Sequence, residues 1–134
     1  MKNFVILLLA SFTILGCSKE KTYIKNIQHK WQHLNDDFKF TDGTPDFSTG
    51  SLDAEYWSFN NGLLEKNYTN GNTTYDYNIE NDQLKIKGQG NIVGLDFTYT
   101  IESISDEKMV LLYTLTNDAG EKNGELNMNF KRVD

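Results

Sequence analysis

Leu95-Asp96-Phe97-Thr98-Tyr99-Thr100-Ile101-Glu102 alternates apolar and polar residues without a break. A period of two puts Leu95, Phe97, Tyr99 and Ile101 on one face and Asp96, Thr98, Thr100 and Glu102 on the other, the pattern of a strand with one buried face and one wet face. Outward from this stretch the same period recurs between short turns. Toward the C-terminus, Ser105-Asp106-Glu107 turns the chain, and Met109, Leu111, Tyr113 and Leu115 share a face with Val110 and Leu112 opposite. Asn117 to Gly120 turns again, and Leu126, Met128 and Phe130 alternate with Asn127, Asn129 and Lys131. Toward the N-terminus, residues 88–94 carry three Gly and read as a loop or bulge, preceded by Leu84 and Ile86 on one strand face. Glu80-Asn81-Asp82 is a turn, Tyr75, Tyr77 and Ile79 share a face, and Asn70-Gly71 is a turn. Leu64, Lys66 and Tyr68 alternate with Glu65, Asn67 and Thr69, Asn60-Asn61-Gly62 is a strong hairpin turn, and Trp57 and Phe59 alternate with Tyr56 and Ser58.

This gives about eight short antiparallel strands joined by hairpins, with no amphipathic helix long enough to cover a sheet. Such a sheet hides its edges and its apolar face by closing, and consecutive hairpins favour an up-and-down barrel over a sandwich with long crossovers. The fold class is therefore all-β, a single antiparallel up-and-down barrel. Residues 41–52 hold the only Pro, two Gly and many hydroxyls, and read as a loop. Ile24, Ile27, Trp31 and Leu34 recur at helical spacing, while Lys30 to Leu34 also reads as the start of a first strand; pattern alone leaves both open.

The 134 residues include 19 acidic and 13 basic side chains, for a net charge of −6 and a pI near 4.8. That balance argues against a nucleic-acid binder, which needs a basic face. One Cys supports neither an internal disulfide nor a Cys-based zinc site.

The N-terminus differs from the rest. Lys2 is followed by an apolar run from Phe4 to Leu15 broken only by Ser11 and Thr13. This is shorter than the roughly 20 residues that span a bilayer, and it has the length of a signal-peptide core. Ile14-Leu15-Gly16-Cys17 then resembles a bacterial lipobox. The resemblance implies cleavage after residue 16, a thioether-linked diacylglycerol on Cys17 and acylation of the new N-terminus. Several acyl chains would anchor the chain firmly. The mature chain would keep 12 basic and 19 acidic groups, since residues 1–16 hold one Lys and no acid. The lipid, and not surface charge, would hold it at the membrane. Ser18 after the Cys differs from the Asp of an inner-membrane retention signal, which favours the outer membrane; the leaflet stays undecided. The expected organisation is a cleaved signal peptide over 1–16, a lipidated tether over 17–28 and a barrel domain over 29–134.

Several segments in order, Lys30-Trp31-Gln32, Trp57 to Gly62, Tyr75 to Leu84, Tyr99 to Leu111 and Asn129 to Val133, resemble the lipocalin-like domain of Bacteroidetes-type lipoproteins. The resemblance implies a lipocalin-like barrel in the cell envelope and gives little chemistry. It also likens Trp31 and Arg132 to a Trp at the barrel base packed by a basic side chain, a structural cation–π contact.

The candidate ligand-binding residues are the aromatics Trp57, Phe59, Tyr75, Tyr77, Phe97, Tyr99, Tyr113 and Phe130. An eight-stranded barrel has room for side chains alone or for one small ligand, so these rings either fill it or line a pocket for a small hydrophobic molecule. An alternative is a protein-interaction module of inhibitor or immunity type, with Asp42, Asp46 and Asp53 probing a basic partner in the envelope. Those three lack the pattern of a calcium loop. His29 and His33, four apart, lack third and fourth metal ligands and, like Asp36 and Asp37, read as solvated polar residues. No nucleophile elbow, phosphate loop, metal motif or Cys–His pair is present, so the chain reads as a non-enzyme without a metal or cofactor.

Overall fold

In a computed structural model, residues 19–51 and 55–134 are described. The strands are β1 (Lys30–Phe40), β2 (Phe47–Gly50), β3 (Tyr56–Asn60), β4 (Leu63–Tyr68), β5 (Gly71–Glu80), β6 (Gln83–Gly88), β7 (Asp96–Ile104), β8 (Lys108–Thr116) and β9 (Lys122–Arg132). From β3 to β9 each pairs antiparallel with the next, and β9 pairs with β1. Strands β1 and β3–β9 thus close the eight-stranded up-and-down barrel that the alternation predicts.

The turns that punctuate the sequence are where the backbone needs them. Asn61 and Gly62 both have positive φ, 45° and 89°. Paired positive values are those of the tight hairpin turn whose twist matches its strands. The register places most of the expected inward faces in the core: Trp57, Phe59, Leu64, Tyr75, Tyr77, Ile79, Leu84, Ile86, Tyr99, Ile101, Met109, Leu111, Met128 and Phe130 are all buried in one cluster. Tyr68 and Tyr113 are exposed instead, and so is Leu95. Leu95 lies in the turn before β7, because β7 begins only at Asp96.

Residues 41–52 are not all loop. Phe47–Gly50 pairs as β2 with Asn35, Asp36, Asp37 and Phe38 of β1. The reason is topological. β3 pairs with β1 only over Lys30, Trp31 and Gln32, so the upper half of β1 would present an open edge there. The short strand β2 covers it.

The open choice at residues 24–34 resolves as helix and then strand. Residues 19–26 are helical, and β1 starts at Lys30. This segment closes the lower end of the barrel. Ile27 and Trp31 are fully buried, and the Trp31 indole donates to the Ile27 carbonyl at 3.0 Å. The Gln28 side chain donates to the Tyr77 hydroxyl and accepts from the Asn61 amide, while Glu20 accepts from the Asn81 amide. Two hairpin turns are thereby fastened to the plug. Arg132 stands opposite Trp31 in register, but its Nε donates to Asp134 at 2.9 Å. The Trp31 ring instead meets His29 edge-on, and the cation–π contacts among the described residues are made by Lys19, Lys30 and Lys66.

Candidate functional site

The site forms where β1 changes neighbours, from β3 below to β2 above. A bulge falls between His33 and Asn35 in the pairing with β9. On a regular strand, residues three apart face opposite ways. The extra residue restores them to one face. His33 stands opposite Phe130 and Asp36 opposite Met128, and both of those partners point into the barrel. His33 Nε2 therefore meets Asp36 Oδ1 at 2.7 Å, and His33 Nδ1 meets Glu55 Oε2 at 3.3 Å. Glu55 Oε1 accepts from the Trp57 indole at 2.5 Å. The backbone reinforces the join, with the His33 amide donating to the Glu55 carbonyl at 2.9 Å. A cleft of about 650 Å³ opens here, lined by His33, Asp36, Thr49, Gly50, Ser51, Glu55 and Tyr68.

His33 is buried, 7% exposed, not the solvated residue the sequence suggests. Burial pushes its imidazole pKa down, but hydrogen bonds to Asp36 and Glu55, with their charges, outweigh this and raise it to about 9. At neutral pH both ring nitrogens donate. Burial pushes Glu55 up, and the donors His33 and Trp57 together hold it below the ordinary carboxylate value.

Below the cleft, Lys66 of β4 stands directly opposite Trp57 of β3 and points into the barrel. It is 6% exposed. Its Nζ lies 3.7 Å from the centre of the Trp57 ring, 5.0 Å from that of Tyr75 and 5.5 Å from that of Phe97. Burial lowers its pKa to about 8, against the raising effect of Glu55. Tyr68 is raised to about 12 by burial and by Glu55, and Tyr75 and Tyr99 are raised for the same reasons. All three hydroxyls stay protonated at neutral pH and are able to donate.

The eight candidate aromatics divide into two layers. Trp57, Phe59, Tyr77 and Phe130 pack ring on ring in the lower layer, with centroids 5.0 Å apart for Trp57–Phe130 and for Phe59–Tyr77. Tyr75, Phe97, Tyr99 and Tyr113 belong to the upper layer, where Tyr99 contacts Phe97, Tyr113 and the edge of Trp57. Tyr113 reaches the rim and is 37% exposed. Asp42 accepts from the Thr44 amide and Asp46 from the Phe40 amide, which shapes the β1–β2 hairpin. Asp53 and Cys17 lie outside the described residues. His33, Asp36, Glu55 and Lys66 were not legible as a site. The one available signal was Lys66, a charge on the same alternating face as Leu64. Among the described residues, no cluster of three His, Cys, Asp or Glu is arranged to hold a metal.

The fold and this site together define a small up-and-down barrel with a plugged floor and a mouth that mixes aromatic rings with buried charge. No protein-family model matches the chain, and no curated protein matches it. Among solved structures it is similar to a deswapped triple mutant of bovine odorant binding protein, with a TM-score of 0.46 and 12% identity over 81% of this chain and 74% of that one.

Proposed function

We propose that this chain is a lipid-anchored protein of the bacterial cell envelope, on the outer membrane, whose barrel binds a small hydrophobic molecule at its open end. The binding half of this reading rests on one observation: the lower aromatic layer fills the barrel, while a cleft of about 650 Å³ opens at its upper end, lined by Tyr68 with His33, Asp36, Thr49, Gly50, Ser51 and Glu55. A concave site with a few convergent polar groups and titratable side chains of shifted pKa is the usual form of a small-molecule site. The anchoring half rests on the Leu15-Gly16-Cys17 sequence alone. The reading is of a binding protein, not an enzyme. The alternative, an inhibitor-like partner acting through Asp42, Asp46 and Asp53, has less support, because two of those carboxylates already accept hydrogen bonds from their own hairpin.

One preparation tests both halves. The native protein should fractionate with membranes, and a Cys17→Ala form carrying a cleavable export signal should be soluble. Native mass spectrometry of that soluble form should show a stoichiometric added mass that is lost on denaturation. A membrane-bound Cys17→Ala form would overturn the anchor. Bare protein that also takes up no hydrophobic probe on titration would overturn the binding site.

A further inference from the structure

We propose that the sealed floor of the barrel is a membrane-docking face, which sets the protein floor-down on an anionic headgroup layer with its open end turned away from the bilayer. This rests on the anchoring half of the reading above and adds an orientation and a lipid chemistry to it.

The geometry leaves an anchor on Cys17 little freedom. The described helix begins at Lys19, two residues further on, and two extended residues span only about 7 Å. The helix does not swing free of the barrel. Glu20 accepts from the Asn81 amide at 2.7 Å, and the Gln28 side chain accepts from the Asn61 amide at 2.8 Å. Asn61 lies in the β3–β4 turn and Asn81 in the β5–β6 turn, so residues near both ends of the plug are fastened to the floor. Acyl chains on Cys17 therefore draw that end to the bilayer, and not the mouth.

Charge follows the same axis. The mature chain is acidic, but residues 17–30 hold four Lys and one Glu, while residues 31–134 hold eight basic and 18 acidic groups. Lys21 and Lys25, one helical turn apart, are exposed, and so is Ile24 beside them. Lysines flanking an exposed apolar side chain are the pattern of a helix lying at a lipid interface. At the foot of the wall, Lys108 of β8 stands directly opposite Lys131 of β9. Like charges so placed repel each other. Lys19, Lys21, Lys25, Lys30, Lys108 and Lys131 form no ion pair among the described residues, whereas Lys85 and Lys122 do. Of the carboxylates at this end, Glu20 is engaged by Asn81, and Asp134 by His29 and Arg132, which leaves Asp82, Asp106 and Glu107. The loops at the opposite end, residues 41–46, 69–70, 89–95 and 117–121, carry Asp42, Asp46, Asp118 and Glu121 and neither Lys nor Arg. An anionic surface attracts the floor and repels the mouth, over a range of about one Debye length. The acyl chains hold the protein, and the lysines set how it stands.

Lysine footprinting tests this without depending on natural lipidation. Cys17 is the only Cys, so the unlipidated mature chain can be coupled through it to a maleimide-headgroup lipid in vesicles. The vesicles are phosphatidylcholine alone, or phosphatidylcholine with an equal part of phosphatidylglycerol. An amine-acylating ester then labels exposed lysines, and mass spectrometry reads the rate at each. On the anionic vesicles Lys21, Lys25 and Lys131 should react about fivefold more slowly than in solution, the scale of one lysine–surface contact. Lys39, Lys87 and Lys122, away from the floor, should keep their solution rates. Lys21→Glu with Lys25→Glu, both at exposed positions, should return Lys131 toward its solution rate. Solution rates at every lysine, or shielding of Lys39 and Lys122 instead, would overturn the docking face and leave the anchor standing. Shielding of the floor that is equal on both vesicles, or that survives the double substitution, would overturn the role of the lysines and of anionic lipid. Native protein that fails to fractionate with membranes would overturn the anchor, while the footprint of the coupled chain still reports on the face.

Discussion

His33→Gln should cost the barrel about 3 kcal/mol at pH 6, at the low end of the range for breaking a buried ion pair. The imidazolium lies between two carboxylates, Asp36 at 2.7 Å and Glu55 at 3.3 Å, whose side chains are about one-fifth exposed. Gln offers one amide head where two opposed donors are needed, so at least one carboxylate loses its partner. The effect has a pH signature. The folded pKa of about 9 lies above the unfolded value of 6.5, so the folded state holds the proton more tightly. The stabilisation is complete below about pH 6.5 and is lost as the pH rises through 9. At the acid end Glu55 behaves oppositely. Its folded pKa is depressed, so its contribution is present above its unfolded value and is lost as pH falls through the folded one. Urea unfolding followed by tryptophan fluorescence should show wild-type stability declining from pH 6.5 toward 8, where the opposite titration of Lys66 begins to offset the loss, and the variant should lack that decline. A variant whose midpoint runs parallel to wild type across this range would show that His33 is not the group responsible.

Lys66→Met should do the reverse and stabilise the fold, by on the order of 2 kcal/mol at pH 7. The lowering of the lysine pKa from 10.5 to about 8 measures how much the interior disfavours the charge. The contacts with three rings return part of that cost. Met has a similar length and fills the same space between Trp57 and Tyr75 without a charge. The sign of the pH dependence follows from the depressed value. Between about 8 and 10.5 the unfolded chain binds the extra proton, so wild-type stability rises with pH there. The gap between wild type and Lys66→Met should therefore be full below pH 8 and narrow above it. In the wild type this gain offsets the loss from His33 between pH 8 and 9; in Lys66→Met the loss should appear undiminished. A Lys66→Met protein less stable than wild type at pH 7 would mean that the ring contacts outweigh the desolvation, and the lysine would then be explained by packing alone.

The two effects give the mouth of the barrel its character. His33 is a charge the fold satisfies completely, with a carboxylate on each ring nitrogen. Lys66 is a charge enclosed in rings that forms no ion pair among the described residues. The first joins the wall where β1 passes from β3 to β2, and the second costs the fold stability.

Most of the strand plan was legible in the chain itself. Period-two alternation from Trp57 to Phe130 marked which residues share a face, and the register turns most of them inward, with Tyr68, Leu95 and Tyr113 left exposed. Asn61-Gly62 marked its hairpin because few other pairs tolerate two successive positive φ values. The site was less legible. His33 and Asp36, three apart, should face opposite sides of a strand, and only the bulge beside Leu34 brings them together. That bulge depends on pairing with β9, about a hundred residues away in sequence, and it leaves no local mark. The strand β2 was equally hidden, since Phe47-Ser48-Thr49-Gly50 has turn-like composition and pairs only because the upper half of β1 lacks another neighbour.

The amino-acid order alone, then, determined the all-β class, the hairpin order and which strand residues share a face, because these follow from local periodicity and turn chemistry. Tertiary structure alone decided that His33 lies between two carboxylates and that Lys66 lies within three rings. Burial and charge pairing are properties of closure: they depend on which distant strands become neighbours when β9 meets β1 and residues 19–28 seal the floor.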